Sequence, residues 1–548
     1  MIPSRMNERP LETERVARAA FPKGNMYMEL RDKLGVLYED EQFAHLFEWR
    51  GRPAESPGML AMVTVMQYAE GLSDRQAAEA VRSRIDWKYA LGLELSDTGF
   101  AHSALSEFRE RLLAGGEAAH LLEEMLRQLQ SRGWVKARGR QRTDSTHVLA
   151  MVRSLNRVEC VGETMRQALN DLASVVPDWL LSQVSDEWFG LYGPRFEAYR
   201  LPKGKEEREA LQLRIGQHGL HLLRTLYDEN TPDWLWQLPS VQTLRQVWVQ
   251  QYYVEEDKLY LRSKQHYHLP PSKQLIVSPY DPEARHRLKR ATSWVGYAAH
   301  LTETCDEDQP NLITHVTTTP ATTADAHMVS HIHQALAEKE LLPYEHLVDT
   351  SYHTAQTRLD SQEHQIEMVG PVMSNNSWQS KHENAYDLSC FFINWDSETV
   401  TCPQGKQSIS WKPHQTHYGS DMIAVFFSRT DCFSCPTRAQ CSKNKTRARG
   451  LTFRPMEQFL SLEAARLYQN TDAFKERYKL RAGVEGTVSQ AVRAFDLRRT
   501  RYVGIAKNHL RHVIIAAAMN LTRLASWFND VPKARTRQSR FAALAPAT

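Results

Sequence analysis

The chain has 548 residues, 42% of them apolar and 24% charged, an ordinary balance for a soluble globular protein of roughly two to four domains. Its formal net charge is only +3, so a nucleic-acid-binding face has to come from clustered cations and not from the overall balance. No apolar run approaches the ~20 residues that cross a bilayer, the N-terminus carries no apolar signal region, and four of the seven cysteines crowd into residues 402–441. This combination argues for an intracellular protein with a metal site, and against a secreted disulfide framework or a membrane protein.

Taken in order, residues 1–25 read as a loose arm, and from Leu30 to Leu129 the pattern is helical. The run from Pro57 to Tyr68 is a buried-looking helix, Ser73 is placed to cap a short helix after it, and further helices are expected over 87–92 and 103–113. Short helices around the Gly71-Leu72-Ser73-Asp74 turn are compatible with a helix-turn-helix-like module. A basic linker follows, with Arg132, Lys136, Arg138, Arg140 and Arg142 and no acidic residue. It leads into a strand over 143–150 that carries Asp144 near its start. Residues 155–275 are rich in Leu, Gln, Trp and charge, read as helical, and show no chemistry. Strands resume at 294–301 and 312–319. A helix over 324–339 precedes a short strand at 346–352 that contains Asp349, and another strand is expected at 365–370. A strand pair, a crossover helix and a second strand pair predict a mixed α/β sheet. In such sheets functional groups gather at the carboxyl ends of strands, which is where Asp349 stands.

Residues 385–450 change character. Cys402-Pro403-Gln404-Gly405 is a knuckle-like turn, and Cys432, Cys435 and Cys441 follow it. A Cys-x2-Cys pair with two further thiols on turns is what tetrahedral zinc requires; the alternative is four reduced surface thiols. Cys390 is a substitute for Cys402 as a ligand, although its apolar surroundings read as core. Lys443, Lys445, Arg447 and Arg449 follow directly and suit phosphate contact. From Leu460 to Trp527 the chain is helical again. Within it Tyr478, Arg481 and Glu485 are three and then four residues apart, which stacks them on one face of an unbroken helix. A phenol, a guanidinium and a carboxylate in a row suit a helix laid beside a phosphodiester; the bland alternative is a solvated face with an Arg/Glu pair. Arg493, Arg498, Arg499, Arg501, Lys507 and Arg511 form a dense basic region, Ile514–Leu524 reads as a buried closing helix, and the tail with Lys533, Arg535, Arg537 and Arg540 is expected to be disordered.

Asp144, Asp349 and Glu485 stand out by context. Three carboxylates suit two divalent ions about 3.5–4 Å apart, acting on the attacking and leaving oxygens of an in-line phosphoryl displacement. Magnesium or manganese is the natural partner of such oxygen donors. His147 falls on the opposite strand face from Asp144 and is not expected to be a ligand. His353 reads as a structural or hydrogen-bonding group. Asp281, Glu283 and Arg285 form a polar turn read as an interdomain or substrate contact.

In their order these pieces resemble a bacterial insertion-sequence transposase of the DDE class, in the branch with a Tyr-x2-Arg-x3-Glu signature. The N-terminal part of the resemblance is Gly51-Arg52-Pro53-Ala54, Gly71–Arg75, Trp87–Gly92 and Phe108–Leu112. The catalytic part is Thr143–Thr146, Tyr280–Arg285, Gly296-Tyr297, Val348–Tyr352, Tyr478-x2-Arg481-x3-Glu485, and Arg499–Gly504 with Lys507. The cysteine-rich segment resembles an insertion in relatives. The resemblance implies a ribonuclease-H-like α/β catalytic core, a mixed sheet with flanking helices, interrupted by insertions. The expected layout is a helical N-terminal DNA-binding domain (1–130), a basic linker with the first catalytic strand (131–154) and a helical insertion (155–275). The continued core (276–385), a Cys-rich zinc-ribbon-like insertion (386–450), C-terminal catalytic helices (451–530) and a basic tail (531–548) complete it.

Carried onto this sequence, the resemblance implies Asp144, Asp349 and Glu485 as catalytic ligands of Mg2+ or Mn2+, with Tyr478 and Arg481 as accessory catalytic groups. Cys402, Cys432, Cys435 and Cys441 become ligands of a structural Zn2+. Arg138, Arg140, Arg142, Lys443, Lys445, Arg447, Arg498, Arg499, Arg501 and Lys507 become contacts to double-stranded DNA. The implied activity is binding of the terminal inverted repeats of an insertion sequence, cleavage at the element ends and joining of 3′-hydroxyl ends to target DNA. The protein would be cytoplasmic, nucleoid-associated when bound, and a homodimer during synapsis. The alternatives are a ribonuclease-H-like nuclease without strand transfer and a DNA-binding regulator with an idle core. One departure is Val492, where relatives often carry Lys. Arg493 is turned about 100° from that position on a helix, and Arg498 and Lys507 are candidates for a replacement charge.

Overall fold

The structure is a computed structural model that describes residues 9–47, 55–263, 267–289, 291–417, 419–532 and 544; the Gly51–Ala54 motif and the basic tail lie outside them, apart from residues 531, 532 and 544. Helices come first: α1 (Leu11–Ala20), α2 (Met26–Leu34), α3 (Pro57–Glu70), α4 (Asp74–Ser83), α5 (Ile85–Leu91), α6 (Ser103–Ala114) and α7 (His120–Ser131). Strand β1 (Arg140–Leu149) precedes α8 (Arg157–Val175), α9 (Pro177–Gln183), α10 (Asp186–Tyr192), α11 (Lys205–Leu226) and α12 (Pro239–Gln251). Then come the hairpin β2 (Tyr252–Glu255) and β3 (Lys258–Leu261), and the strands β4 (Arg285–Lys289), β5 (Thr292–Thr304) and β6 (Ile313–Pro320). α13 (Met328–Glu338), β7 (Glu345–Leu347), α14 (Ala355–Glu363) and β8 (Glu367–Val369) follow. Short strands β9 (Phe392–Asn394), β10 (Thr399–Thr401), β11 (Ser408–Gln415) and β12 (Asp421–Phe427) lead to α15 (Arg429–Phe433), α16 (Arg438–Cys441) and β13 (Gly450–Phe453). The chain ends in α17 (Met456–Tyr468), α18 (Asp472–Tyr478), α19 (Gly483–Ala494) and α20 (Ile505–Phe528).

Internal packing divides the chain into two units. One takes in Met1–Lys136, Asp144–Thr323 and Val484–Thr548, the other Ala137–Thr143 and Ala324–Gly483. In the first, α20 is the hub. Its apolar run from Val513 to Met519 is almost wholly buried, and it packs on α3, α7, α2, α6 and β6. Asn520, buried in that helix, exchanges hydrogen bonds with the backbone of Ile313 (2.7 and 2.9 Å), which satisfies the start of β6. The N-terminal helices thus share a core with the C-terminal one. Residues 11–20, expected as a loose arm, are helical instead. Thr13 and Ala17 lie one turn apart and both are buried, the Thr13 hydroxyl donating to the Leu93 carbonyl at 2.8 Å. Ser73 caps α4 as expected, in a capping box with Gln76.

β5 pairs antiparallel with β4 and β6. A side chain at Gly296 would meet the Val148 carbonyl oxygen at 2.1 Å, so glycine is needed where β5 passes β1. The turn Tyr280–Arg285 has a local task. Glu283 accepts the first amide of α20, from Ile505, at 2.8 Å, and Asp281 accepts the Tyr297 hydroxyl at 2.6 Å. The region 155–275 is largely helical as far as Gln251, but the β2–β3 hairpin follows, and the described residues from there to 275 are not helical. It has its own apolar core among α8, α11 and α12.

In the second unit the first residues of β1 pair parallel with β7, and β7 pairs parallel with β8. α13 and α14 pack together there, α14 touching β8 and α17. β11, β12 and β13 form an antiparallel sheet over an aromatic cluster of Trp395, Trp411 and Phe453. Antiparallel and parallel strands with flanking helices are compatible with the expected ribonuclease-H-like core. Among the described residues, no helix is long and apolar enough to cross a membrane.

Candidate active site and cysteine-lined cavity

Asp144 and Glu485 belong to the first unit. On β1, residues 142, 144, 146 and 148 share one face. Asp144 is half-buried and its Oδ1 accepts the Ser145 amide at 2.8 Å. Two residues on, the Thr146 hydroxyl accepts from Arg498 Nε at 2.9 Å, so the Arg498 guanidinium lies along the face that carries Asp144. The backbone of 498–500 continues beside the end of β1, with Leu149 donating to Arg498 and Thr500 to Leu149. His147 packs on Trp294 at 5.5 Å, and burial, helped by Arg498, lowers its pKa. Glu485 is exposed on α19, whose opposite row of Val484, Thr487 and Ala491 is buried.

Asp349 belongs to the second unit. The strand that precedes it is shorter than expected and ends at Leu347. Half-buried just beyond, Asp349 accepts the Ser351 amide at 2.8 Å. His353 anchors this loop. The Gly370 carbonyl only accepts and the Arg358 guanidinium only donates, so Nδ1 carries the proton to Gly370 (2.7 Å) and Nε2 accepts from Arg358 (3.1 Å). Burial, reinforced by Arg358, lowers the His353 pKa to about 4.

Tyr478, Arg481 and Glu485 do not lie on one unbroken α-helix. Tyr478 ends α18, stacked on Phe474 at 5.3 Å. Arg481 sits in a 3-10 turn over Lys479–Ala482, and Glu485 is in α19. Arg142 explains the break. Its guanidinium donates to the Leu480 carbonyl, which also receives the Gly483 amide in a tight 3-10 bond. A side chain at Gly483 would meet Arg142 Nη1 at 2.2 Å.

The cations expected to touch DNA divide by environment. Arg142 is buried in that clamp, which corrects its assignment to the DNA face. Arg138 donates to the Gln365 carbonyl at 2.7 Å, and Arg140 to the Tyr344 hydroxyl at 2.5 Å. Arg498 is half-buried as described. Arg499, Arg501 and Lys507 are exposed in the first unit, and Lys443, Lys445 and Arg447 in the second.

Cys402, Cys432, Cys435 and Cys441 line one cavity of about 210 Å³ in the second unit. The Cys402 turn closes by Gly405 donating back to Cys402 and Cys402 to Lys406, both at 2.8 Å. Burial raises the Cys441 thiol pKa, and the three other thiols push the same way against Arg449. Cys390, expected as core, is exposed beside Asp387. Among the described residues, no three His, Cys, Asp or Glu side chains come together closely enough to hold a metal ion as they stand. The donor chemistry nonetheless suits zinc at the four thiols and magnesium or manganese at carboxylates.

Three polar groupings escaped the sequence reading. In the first unit Glu303 of β5 is fully buried and paired with Arg523 of α20 at 2.7 Å. In the second, Thr143 contacts His346 (2.7 Å), which contacts His333 (2.8 Å). There too Arg477 forks onto Glu367 (2.6 and 2.7 Å), reaches Glu345 (2.8 Å) and fixes α18 against β7 and β8. The available signal was a polar residue inside an apolar strand, as at Glu303 and His346.

Residues 401–525 match the family model described as Transposase DDE domain, and residues 15–111 match Transposase domain (DUF772). The first match spans the four thiols of the cavity and Glu485, and leaves Asp144 and Asp349 outside. No curated protein matches the chain. Together the two matches support a DDE-type transposase.

Proposed function

We propose that this protein is a DNA transposase that binds the terminal inverted repeats of an insertion sequence, cleaves at the element ends and joins the 3′-hydroxyl ends to target DNA. The observation that carries the reading is the match of residues 401–525 to a transposase DDE domain, because Glu485 lies inside it.

Asp144, Asp349 and Glu485 would hold Mg2+ or Mn2+. Once bound, the ion supplies a lowered pKa for an attacking water or 3′-hydroxyl and a counter-charge for the leaving oxygen. Arg481 and Tyr478 bind the flanking backbone, the guanidinium forking onto a phosphate. Exposed Arg499, Arg501, Lys507, Lys443, Lys445 and Arg447 hold the duplex by its phosphates, which fixes register without reading sequence. Cys402, Cys432, Cys435 and Cys441 would hold a structural Zn2+ that fixes the start of the connection from α16 to β13, which bears the last three of these cations. Synapsis of two ends calls for a homodimer.

The test is cleavage of plasmid DNA carrying the sequence that flanks the gene, with Mg2+ or Mn2+, for wild type, Asp349→Ala and Glu485→Gln. Cutting at defined ends is expected from wild type alone, with 3′ ends joined to new DNA. Full cutting by Asp349→Ala sinks the assignment, and cut products that are never joined reduce it to a nuclease.

A further inference from the structure

We propose that Thr487 is a positioning residue for the Glu485 carboxylate, acting through a buried network that fixes the roll of α19; this rests on the reading of Glu485 as a metal ligand. Arg523 of α20 makes four donations at the centre of the network. Its Nη1 reaches Glu303 at 2.7 Å and the Asn311 carbonyl at 2.9 Å, its Nη2 reaches the Thr487 hydroxyl at 2.7 Å, and its Nε reaches Gln490 at 3.0 Å. The Thr487 hydroxyl in turn donates a hydrogen bond to Glu303 at 2.6 Å, so it donates and accepts at once. Glu303 is wholly buried and Thr487 nearly so.

A pair of apolar contacts would hold α19 down while letting it roll. Hydrogen bonds to a buried ion pair are directional and short, and leaving one unmade is costly. Thr487 and Gln490 are three residues apart, so both anchors lie on the inner face of the helix. Glu485 stands two residues before Thr487, about 200° around the axis at roughly 100° per residue. The inward hydroxyl and the outward carboxylate are therefore opposite ends of one rigid lever. With side chains about 5–6 Å from the axis, a roll of about 20° displaces the carboxylate by about 2 Å. That is the length of a magnesium–oxygen bond, ~2.0–2.1 Å.

The experiment is titration of the purified full-length chain with Mn2+ alone, followed by the electron paramagnetic resonance signal of the free ion. It is run at a temperature where circular dichroism shows every variant folded. Thr487→Val keeps the shape and removes the hydroxyl; it should weaken Mn2+ binding about 10–100-fold, the usual effect of losing a group that orients a ligand. Thr487→Ser should restore it. Wild-type affinity in Thr487→Val overturns the proposal. If that variant does not fold, Gln490→Leu removes the second anchor and is judged by the same affinity. Glu485→Gln separates the two ideas: unchanged Mn2+ binding there fells the metal reading itself, whereas a loss there without a loss in Thr487→Val fells only the positioning role.

Discussion

Cys402 and Cys390 are the same residue type in one segment, yet only Cys402 faces the thiol-lined cavity, while Cys390 is exposed beside Asp387. A zinc site built on the cavity therefore has a residue-level signature. Wild type and Cys390→Ser should each carry about one zinc per chain, and Cys402→Ser should lose it, since a structural site needs four ligands. Elemental analysis of purified protein decides this; zinc retained in Cys402→Ser removes that thiol from the ligand set. Spacing made the four thiols legible, because a metal knuckle is a local pattern. Arg142 was misread for the opposite reason. Its neighbours in sequence are cations, but the partner that buries it is the backbone around Leu480 and Gly483, far along the chain. Charge in a sequence does not say which way a side chain turns. The same holds for Glu303, whose partner Arg523 lies at the other end of the first unit's sequence.

At the scale of elements, the helices of the insertion are set by how closely two backbones approach. The position of a side chain at Gly219 of α11 would fall 2.1 Å from the Trp248 ring of α12. That ring is not free to step aside, since its Nε1 donates to the Gly216 carbonyl at 2.9 Å. Gly219→Ala should destabilise by about 1–2 kcal/mol, overpacking exceeding the ~1 kcal/mol gain in helix propensity. Gly190 of α10 has nothing within 4 Å of the same added atom, so Gly190→Ala should be neutral or stabilising by up to about 1 kcal/mol. Urea midpoints followed by tryptophan fluorescence report both; equal shifts in the two variants would contradict the packing argument. Elements such as β5 and β6 were legible because burial on a sheet imposes apolar runs that local sequence shows, and they fall within two residues of expectation at all but one end. The 3-10 break before α19 was not legible, because its cause is Arg142 on a strand, and α1 was missed because its buried face is only Thr13 and Ala17.

The whole molecule carries its buried imidazoles unevenly, and this sets how it should respond to acid. In the second unit burial lowers His333 and His353 to about 4 and holds His346 well below its ordinary value. Among the described residues the first unit buries His512, lowered to about 3, and His300; His147 and His218 are shifted down but are only partly buried. An unfolded histidine takes up its proton near pH 6.5. Below that pH the unfolded chain binds protons that the folded one refuses, so the contribution is whole above about 6.5 and is lost as pH falls towards the folded values. Each such group removes about 1.4 kcal/mol per pH unit across that window. Asp281, in the first unit, is shifted the other way. Burial raises its carboxyl pKa, so acid relieves a cost there. Between about pH 6.5 and 4 the second unit has to protonate a mutually interacting group, His333, His346 and His353, and it should loosen first. Hydrogen–deuterium exchange, corrected for the intrinsic pH dependence, should show protection of 345–369 falling between pH 7 and pH 5 while that of 513–521 in α20 persists. Loss of protection in α20 at the higher pH would mean that some other titration governs the order.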